Sequence, residues 1–248
     1  MFMALFEEPI VKRSYINSII IEARAFFKAH GFHLPLWGDW GMEDWKANAA
    51  ACNEIFSCNL GWDITDFSSG DFMHRGLVLF TLRNGDPDGS GKSYAEKIMM
   101  VREEQETPFH FHWHKMEDII NRGGGTLAFE LYQSDANEGF RAEPFKIQVD
   151  GVATLVKPGV PLYLSPGQSL CLERGVYHRF YAKAGTGSVL CGEVSMVNDD
   201  HADNRFKEPI GRFPGIEEDE PPVRLMVGDY RSLLGGSLGL QGDSRSLQ

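Results

Sequence analysis

The chain has 248 residues, 42% of them hydrophobic and 12% aromatic, enough for one large β-rich domain with helical additions or for two small domains. Thirty-five acidic residues against 24 Lys and Arg give a formal net charge of −11, which argues against a nucleic-acid binder. No stretch approaches the length of a membrane span, so neither nucleic acid nor a membrane is the expected partner.

The N-terminal MFMALFEEP has no basic n-region and too short an apolar run for a signal peptide, so a cytoplasmic location is expected. Residues 14–30, SYINSIIIEARAFFKAH, read as an amphipathic helix. Ile16, Ile19, Ile20, Ala23, Phe26 and Phe27 follow the helical period, with Ser14 as N-cap and Gly31 as stop signal. The turn-rich GFHLPLWGDWG leads to a second helix at 42–57, with Trp45, Ala49, Cys52 and Phe56 on one stripe. After about residue 62 the pattern changes to strands. LVLFTLRNG (77–85) ends in the hairpin pair Asn84-Gly85. PDGSGK (87–92) is a simple turn, with neither Walker nor GxGxxG spacing. AEKIMMVREE (95–104) precedes a histidine-rich strand, and TLAFELYQ (126–133) follows it. FKIQVDGVATLV turns at Asp150-Gly151, and PLYLSPGQSLCLE at Pro166-Gly167, before HRFYA and SVLCGEVSMV. Many short strands with regular turn signals predict a sandwich or closed barrel. EEDEPP (217–222) reads as a solvated acidic loop. Cys52, Cys58, Cys171 and Cys191 form no CxxC pair and no disulfide framework; Cys171 and Cys191 lie in apolar runs and read as buried thiols of a reducing compartment.

The most informative segment is TPFHFHWHKMEDIINRGGG (107–125). On a strand, His110, His112 and His114 project from one face, leaving Phe109, Phe111 and Trp113 to the core. Two registers compete for a metal site. His110 and His112 with Glu117 leave room for the chain to turn and return the carboxylate beside the imidazoles; His112 and His114 with Glu117 do not. The first is preferred, with His114 at the mouth or supporting the ligands. His178, at the end of PGQSLCLERGVYH, completes three nitrogens and one oxygen. The bland alternative is an exposed histidine-rich strand.

HFHWHKMEDIINRGGG resembles the first cupin motif (HxH, four residues, E, six residues, G), with His110, His112, Glu117 and Gly124 on its positions. PGQSLCLERGVYH resembles the second motif, with Pro166, Gly167 and His178. GWDITDF, LFTLRNG, KMEDIINRGGGTL and GEVSMVNDD are similar to the cupin-type D-lyxose isomerases. The resemblance implies a mainly β fold, a cupin-type β-barrel (jelly roll) with an N-terminal helical extension. Residues 1–61 would be helical and packed on a barrel formed by 62–248, in a single compact domain. It also implies interconversion of D-lyxose and D-xylulose, often with D-mannose and D-fructose. A divalent metal is expected, Mn2+ before Zn2+ or Co2+, acting on a free sugar in a homodimer built through the helical segment.

A six-coordinate ion on four ligands keeps two positions open for a chelating pair of sugar oxygens, and polarises the carbonyl. The reaction also needs a base that moves a proton between neighbouring carbons through a cis-enediol. Glu193 is the candidate: in VLCGEVSMV it shares a face with Cys191 and Ser195, and a carboxylate inside an apolar strand is uncommon unless paired or working. An outward-facing surface glutamate is its bland reading. Lys115, between the ligands, is a candidate donor to a sugar oxygen, against a solvated turn lysine. Asp118 and Arg122 flank the ligands, and Arg122 is a candidate hydroxyl partner. Asp199, Asp200 and Asn204 are others, although such residues are also ordinary turn formers. Phe180 shares the face of His178 and is expected to line the pocket. The competing functions are another cupin metalloenzyme (a sugar-phosphate isomerase, an oxygenase or a decarboxylase) and a non-catalytic sugar-binding cupin.

Overall fold

Period-two alternation beyond residue 60 folds into two antiparallel sheets with a shared core. The computed structural model describes residues 10–86, 88–199, 202–211 and 215–232. In chain order its strands are β1 Ile10–Lys12, β2 Gly61–Thr65, β3 Leu77–Arg83, β4 Tyr94–Val101, β5 Thr107–His112, β6 Glu117–Gly124, β7 Leu127–Gln133, β8 Phe145–Val149, β9 Val152–Val156, β10 Leu162–Leu164, β11 Ser169–Leu172, β12 Val176–Ala182, β13 Val189–Met196, β14 Asn204–Phe206 and β15 Gly215–Glu217. The order β2-β3-β4-β13-β6-β11-β8-β9 makes an eight-stranded sheet, and β10-β7-β12-β5-β14 a five-stranded one. Met99, Ile119 and Cys191 from the first meet Phe129, Leu131 and Phe180 from the second. This is the cupin-type barrel that the two motifs imply.

Two predicted turns do what their residues demand. Asp150 and Gly151 both have positive φ (51° and 76°) and join β8 to β9, with Val149 opposite Val152. Gly167, at φ 94°, lets the chain leave β10 in one sheet and enter β11 in the other.

Helix α1, Arg13–Ala29, covers the outer face of the larger sheet. Ile16, Ile19, Ile20, Ala23 and Phe27 pack on Val78, Phe80, Ile98, Met100 and Leu190. Each fully buried Ile or Phe contributes roughly 1.5–3 kcal/mol. Strands covered on both faces read as apolar runs rather than alternations, which is why β3, β4 and β13 look so hydrophobic. Gly31, at φ 71°, ends the helix, and Phe32 N–H reaches back to Phe27 O.

Several local readings need correction. Ser14 is not the N-cap; Lys12 is. The Ser14 N–H and hydroxyl both donate to the Asp219 carboxylate, at 2.9 and 2.7 Å. EEDEPP is therefore not merely a solvated loop. Glu217 pairs in parallel with Lys12, Glu218 accepts from buried Arg13 at 2.6 Å, and Glu220 accepts from Asn17 at 2.6 Å. A helix N-terminus carries free N–H groups and positive potential, so an acidic segment far away in sequence can complete it. The second helix breaks into α2, Met42–Asn48, and α3, Asn53–Ser57, because Ala49–Ala51 tightens into a 3-10 turn. Trp45, Ala49, Cys52 and Phe56 still converge on Tyr230. Asn84-Gly85 is not a tight hairpin: β3 and β4 are joined by a longer loop, and Asn84 is buried. Phe111 is core and Phe109 half-buried, but Trp113, past the end of β5, is 42% exposed. All four cysteines are free; Cys191 is buried, whereas Cys171 is only half-buried on the outer side of β11. No helix among the described residues is long and apolar enough to cross a membrane.

Arg13 also bonds Asp229 at 2.8 Å, so it joins α1 to two parts of the C-terminal segment. Arg13→Met should lower stability at pH 7 by roughly 2 kcal/mol, the scale of hydrogen bonds to charged groups. Hydrogen bonding to Arg13 holds Glu218 below its ordinary value of 4.5. That stabilisation is complete above the ordinary value and is lost as pH falls through the lower folded one. The gap between parent and variant should therefore narrow in acid, measured by urea unfolding from pH 7 to 3. A gap constant over that interval would show that the ion pair does not carry it.

Candidate active site

Strand β5 lies between β12 and β14, with His110 opposite His178 and Asn204 opposite His112. Its inward parity buries His110 and His112, and the neighbouring strand buries His178 beside them. Their ligand nitrogens lie within 4.8 Å of one another. His110 Nδ1 lies 2.9 Å from Pro108 O, and His178 Nδ1 3.1 Å from Val176 O. A carbonyl only accepts, so each Nδ1 carries the proton and each Nε2 keeps its lone pair. Among the described residues no hydrogen bond of good geometry reaches either ring nitrogen of His112.

Glu117 comes from the opposite sheet as the first residue of β6. Its Oε1 is 3.3 Å from His112 Nε2 and 3.2 Å from His178 Nε2, and its Oε2 is 2.8 Å from Lys115 Nζ. Lys115 Nζ also donates to Glu193 Oε1 at 3.0 Å. Lys97 stands opposite Glu193 in the β4–β13 register and donates to Oε1 and Oε2 at 3.1 and 3.3 Å. Lys97, Glu193, Lys115 and Glu117 are all buried. They form a line of alternating charge that ends at the imidazoles.

The charge line sets the protonation states. Burial alone would raise Glu117, but Lys115 and His112 hold it well below the usual carboxylate range. Burial likewise opposes the ionised Glu193, and Lys115 and Lys97 outweigh it. Burial, with His178 and His112 nearby, pushes His110 well below 6.5; burial and Lys115 lower His112. Two ionised carboxylates thus face the neutral imidazoles of His110 and His112. Three imidazole nitrogens and a carboxylate, with buried donor atoms lacking partners and no thiolate, suit a borderline-to-hard divalent ion.

These groups line a cavity of about 250 Å³, with Phe180 and Asn204 also on its wall. A larger cavity of about 940 Å³ shares Asp63, Thr65 and Leu79 with it but contains none of the three histidines. The chemistry lies in the smaller space. The fold therefore brings together His110, His112, Glu117, His178, Lys115, Glu193, Phe180 and Asn204.

Other expected residues lie elsewhere. Arg122 and Asp118 are exposed, because Glu117, Ile119 and Asn121 take the inward positions of β6. His114 is exposed beyond the end of β5 and does not line the pocket. Asp203 accepts from the backbone N–H groups of His114 and Lys115 at 2.6 and 2.9 Å and turns the chain there. Asp199 lines the larger cavity, and Asp200 lies outside the described residues. Lys97, Asn198 and Asp203 were not foreseen. Lys97 carried a usable signal, a charge in an apolar strand on the same face as Ala95 and Met99, as Glu193 did in its own strand.

Residues 11–230 match the D-lyxose isomerase family. A D-lyxose/D-mannose isomerase of Escherichia coli O157:H7 is 48% identical over 224 residues, 89% of this chain and 99% of that one. Another, of Serratia proteamaculans, is 46% identical over 223 residues, 89% and 98% of the two chains. Among solved structures, Cellulomonas parahominis L-ribose isomerase with L-ribose aligns at a TM-score of 0.57 and 14% identity, over 85% of this chain and 100% of that one. That last likeness is one of fold alone.

The depressed imidazoles have a stability consequence. Below about 6.5 the unfolded chain takes up protons at His110 and His112 that the folded chain refuses. Stability of chelator-treated protein should therefore fall as pH drops from 7 toward 5.5, read as the urea midpoint. His110→Gln should give a shallower fall. An unchanged midpoint would mean that the imidazoles titrate freely.

Proposed function

The chain belongs to the D-lyxose isomerase family, and on that premise we propose that it is a metal-dependent aldose–ketose isomerase interconverting D-lyxose and D-xylulose, and D-mannose and D-fructose. The observation that most supports this reading is the ionised Glu193, buried between two lysines beside three converging imidazoles.

His110, His112, Glu117 and His178 would hold the ion, Mn2+ before Zn2+ or Co2+. When bound, it would polarise the sugar carbonyl and hold the adjacent hydroxyl. Glu193 takes the proton from the carbon beside the carbonyl and returns it to the neighbouring carbon, the sugar passing through a cis-enediol. The two lysines keep that carboxylate in the unprotonated form that can accept a proton at neutral pH. Lys115, between Glu193 and Glu117, donates to the sugar oxygen on which charge develops. Asn204 offers its amide to a hydroxyl, and Phe180 an apolar wall. The two lysines on the cavity wall are already held by carboxylates, and Asp63 lines the same space. This favours a free sugar over a sugar phosphate. The shared core of α1 with β3, β4 and β13 supports 1–61 as an extension of the barrel domain formed by 62–248. The four free cysteines support a reducing, cytoplasmic setting.

Ketose formation from a panel of free and phosphorylated aldoses, with single metals returned to stripped protein, tests the whole reading. His110→Ala or His178→Ala should abolish both tight metal retention and turnover; full metal content in both variants would sink the ligand assignment. Glu193→Gln should keep its metal and its KM while kcat falls about 100-fold, the scale of general-base catalysis. Near-normal turnover in that variant would remove Glu193 from the reaction.

A further inference from the structure

Asn198 lies just beyond β13, in the NDD segment, and the mechanism above gives it no task. Its Oδ1 accepts from Lys97 Nζ at 2.8 Å and from Lys115 Nζ at 3.2 Å. An ammonium only donates, so the atom facing both lysines must be the amide oxygen. The same two ammonium groups meet on Glu193 Oε1, at 3.1 and 3.0 Å. Two like charges thus share one carboxylate oxygen, and the Asn198 oxygen is a second acceptor common to both.

Asn198 lies past the end of β13 and has no strand partner among the described residues. Asn84 supplies one. The Asn198 N–H donates to Asn84 Oδ1 at 2.9 Å, and Asn84 Nδ2 donates to Asn198 O at 3.1 Å and to Cys58 O at 3.3 Å. The side-chain amide imitates the paired bonds of an antiparallel ladder. It ties the loops after α3, β3 and β13 at one buried point, with Asn84 only 3% exposed.

We propose that Asn198 is a positioning residue for proton transfer: its Oδ1, fixed by Asn84, holds both lysines against Glu193. This rests on the reading of Glu193 as the base. His110 and His178 are oriented by Pro108 O and Val176 O, and Glu117, the one proposed ligand that touches a lysine of the line, keeps its Oε1 beside His112 and His178, so loss of Asn198 should leave the ligand set in place. Misplacing a reacting group by about 1 Å can lower turnover about 100-fold.

The test compares Asn198→Ser, whose shorter side chain cannot carry an acceptor to the Oδ1 position between the lysines, with Asn198→Asp, which keeps one there. Glu193→Gln runs alongside. Asn198→Ser should lower kcat at least about ten-fold, with KM, metal content and melting temperature at the parent's values. Asn198→Asp should stay within about three-fold of the parent. In protein labelled with 15N-lysine, exchange-protected ammonium signals of Lys97 and Lys115 should be seen in the parent and lost in Asn198→Ser. A kcat for Asn198→Ser within about two-fold of the parent, while Glu193→Gln falls about 100-fold, overturns the proposal. So do equal losses in the Ser and Asp variants, or a loss accompanied by reduced metal content or melting temperature. If Glu193→Gln keeps its turnover, the base assignment has failed, and unchanged lysine signals in Asn198→Ser would overturn the anchoring by themselves.

Discussion

Lys97, Glu193, Lys115 and Glu117 form a buried line of four charges that sum to zero, and the arrangement of the barrel around the site depends on it. A charge taken out of water is tolerable only beside its opposite, with its remaining hydrogen bonds made. Strand register supplies this. β13 places Glu193 opposite Lys97 on one side and Ser195 opposite Glu117 on the other. Lys115 enters between the carboxylates from the β5–β6 turn, which Asp203 holds by two backbone N–H groups. A slip of β13 by one residue would turn Glu193 outward, bring Val194 inward, and leave Lys97 without its carboxylate. The ion line thus specifies register as well as chemistry.

The same strands carry a second obligation on their other face. Leu190 alternates with Cys191, and Ile98 and Met100 with Lys97 and Met99, so an outer apolar layer comes with the inner polar one. Helix α1 covers that layer, and Arg13, buried at its start, is held by Glu218 and Asp229. The helical extension is therefore joined to the site through the thickness of one sheet. Asn84, reaching Cys58 O and both backbone groups of Asn198, is a direct polar link between the same regions.

The fold was legible wherever the signal was periodic. Alternating strands, the α1 stripe, the Asp150-Gly151 turn and the parity of His110 and His112 depend on neighbours in sequence. Glu193 was legible because a carboxylate inside an apolar strand needs a reason, and the same reasoning applied to AEKIMMV reaches Lys97. What escaped was set by distant partners. Alternation carried His114 and Trp113 onto the strand, but β5 ends at His112, where Asp203, far along the chain, captures the next N–H groups. Asn84-Gly85 has the composition of a tight turn, yet the Asn84 side chain is used across the fold. Ser14 had the chemistry of a cap, and Asp219 took that role from the other end of the chain.

A buried ion line is a poor device for stability. Well-packed apolar residues of similar volume are often as good or better, whereas removing one partner strands the other. Its presence at the centre of a barrel that otherwise packs Leu, Ile and Phe therefore points to work done by the charges. The kind of work follows from how they are engaged. Lys97 is shared between Glu193 and the Asn198 oxygen, and Lys115 between Glu193, Glu117 and the same oxygen, so neither is a loose cation waiting for an anionic ligand. What the line offers the cavity is a buried carboxylate held ionised, with an ammonium between it and the imidazoles. In the proposed reaction that pairing would take a proton from carbon at one end and steady the oxygen that gains charge at the other. A phosphate entering the cavity would have to compete with Glu193 and Glu117 for the same ammonium groups, a competition that a neutral polyhydroxylated ligand does not pose.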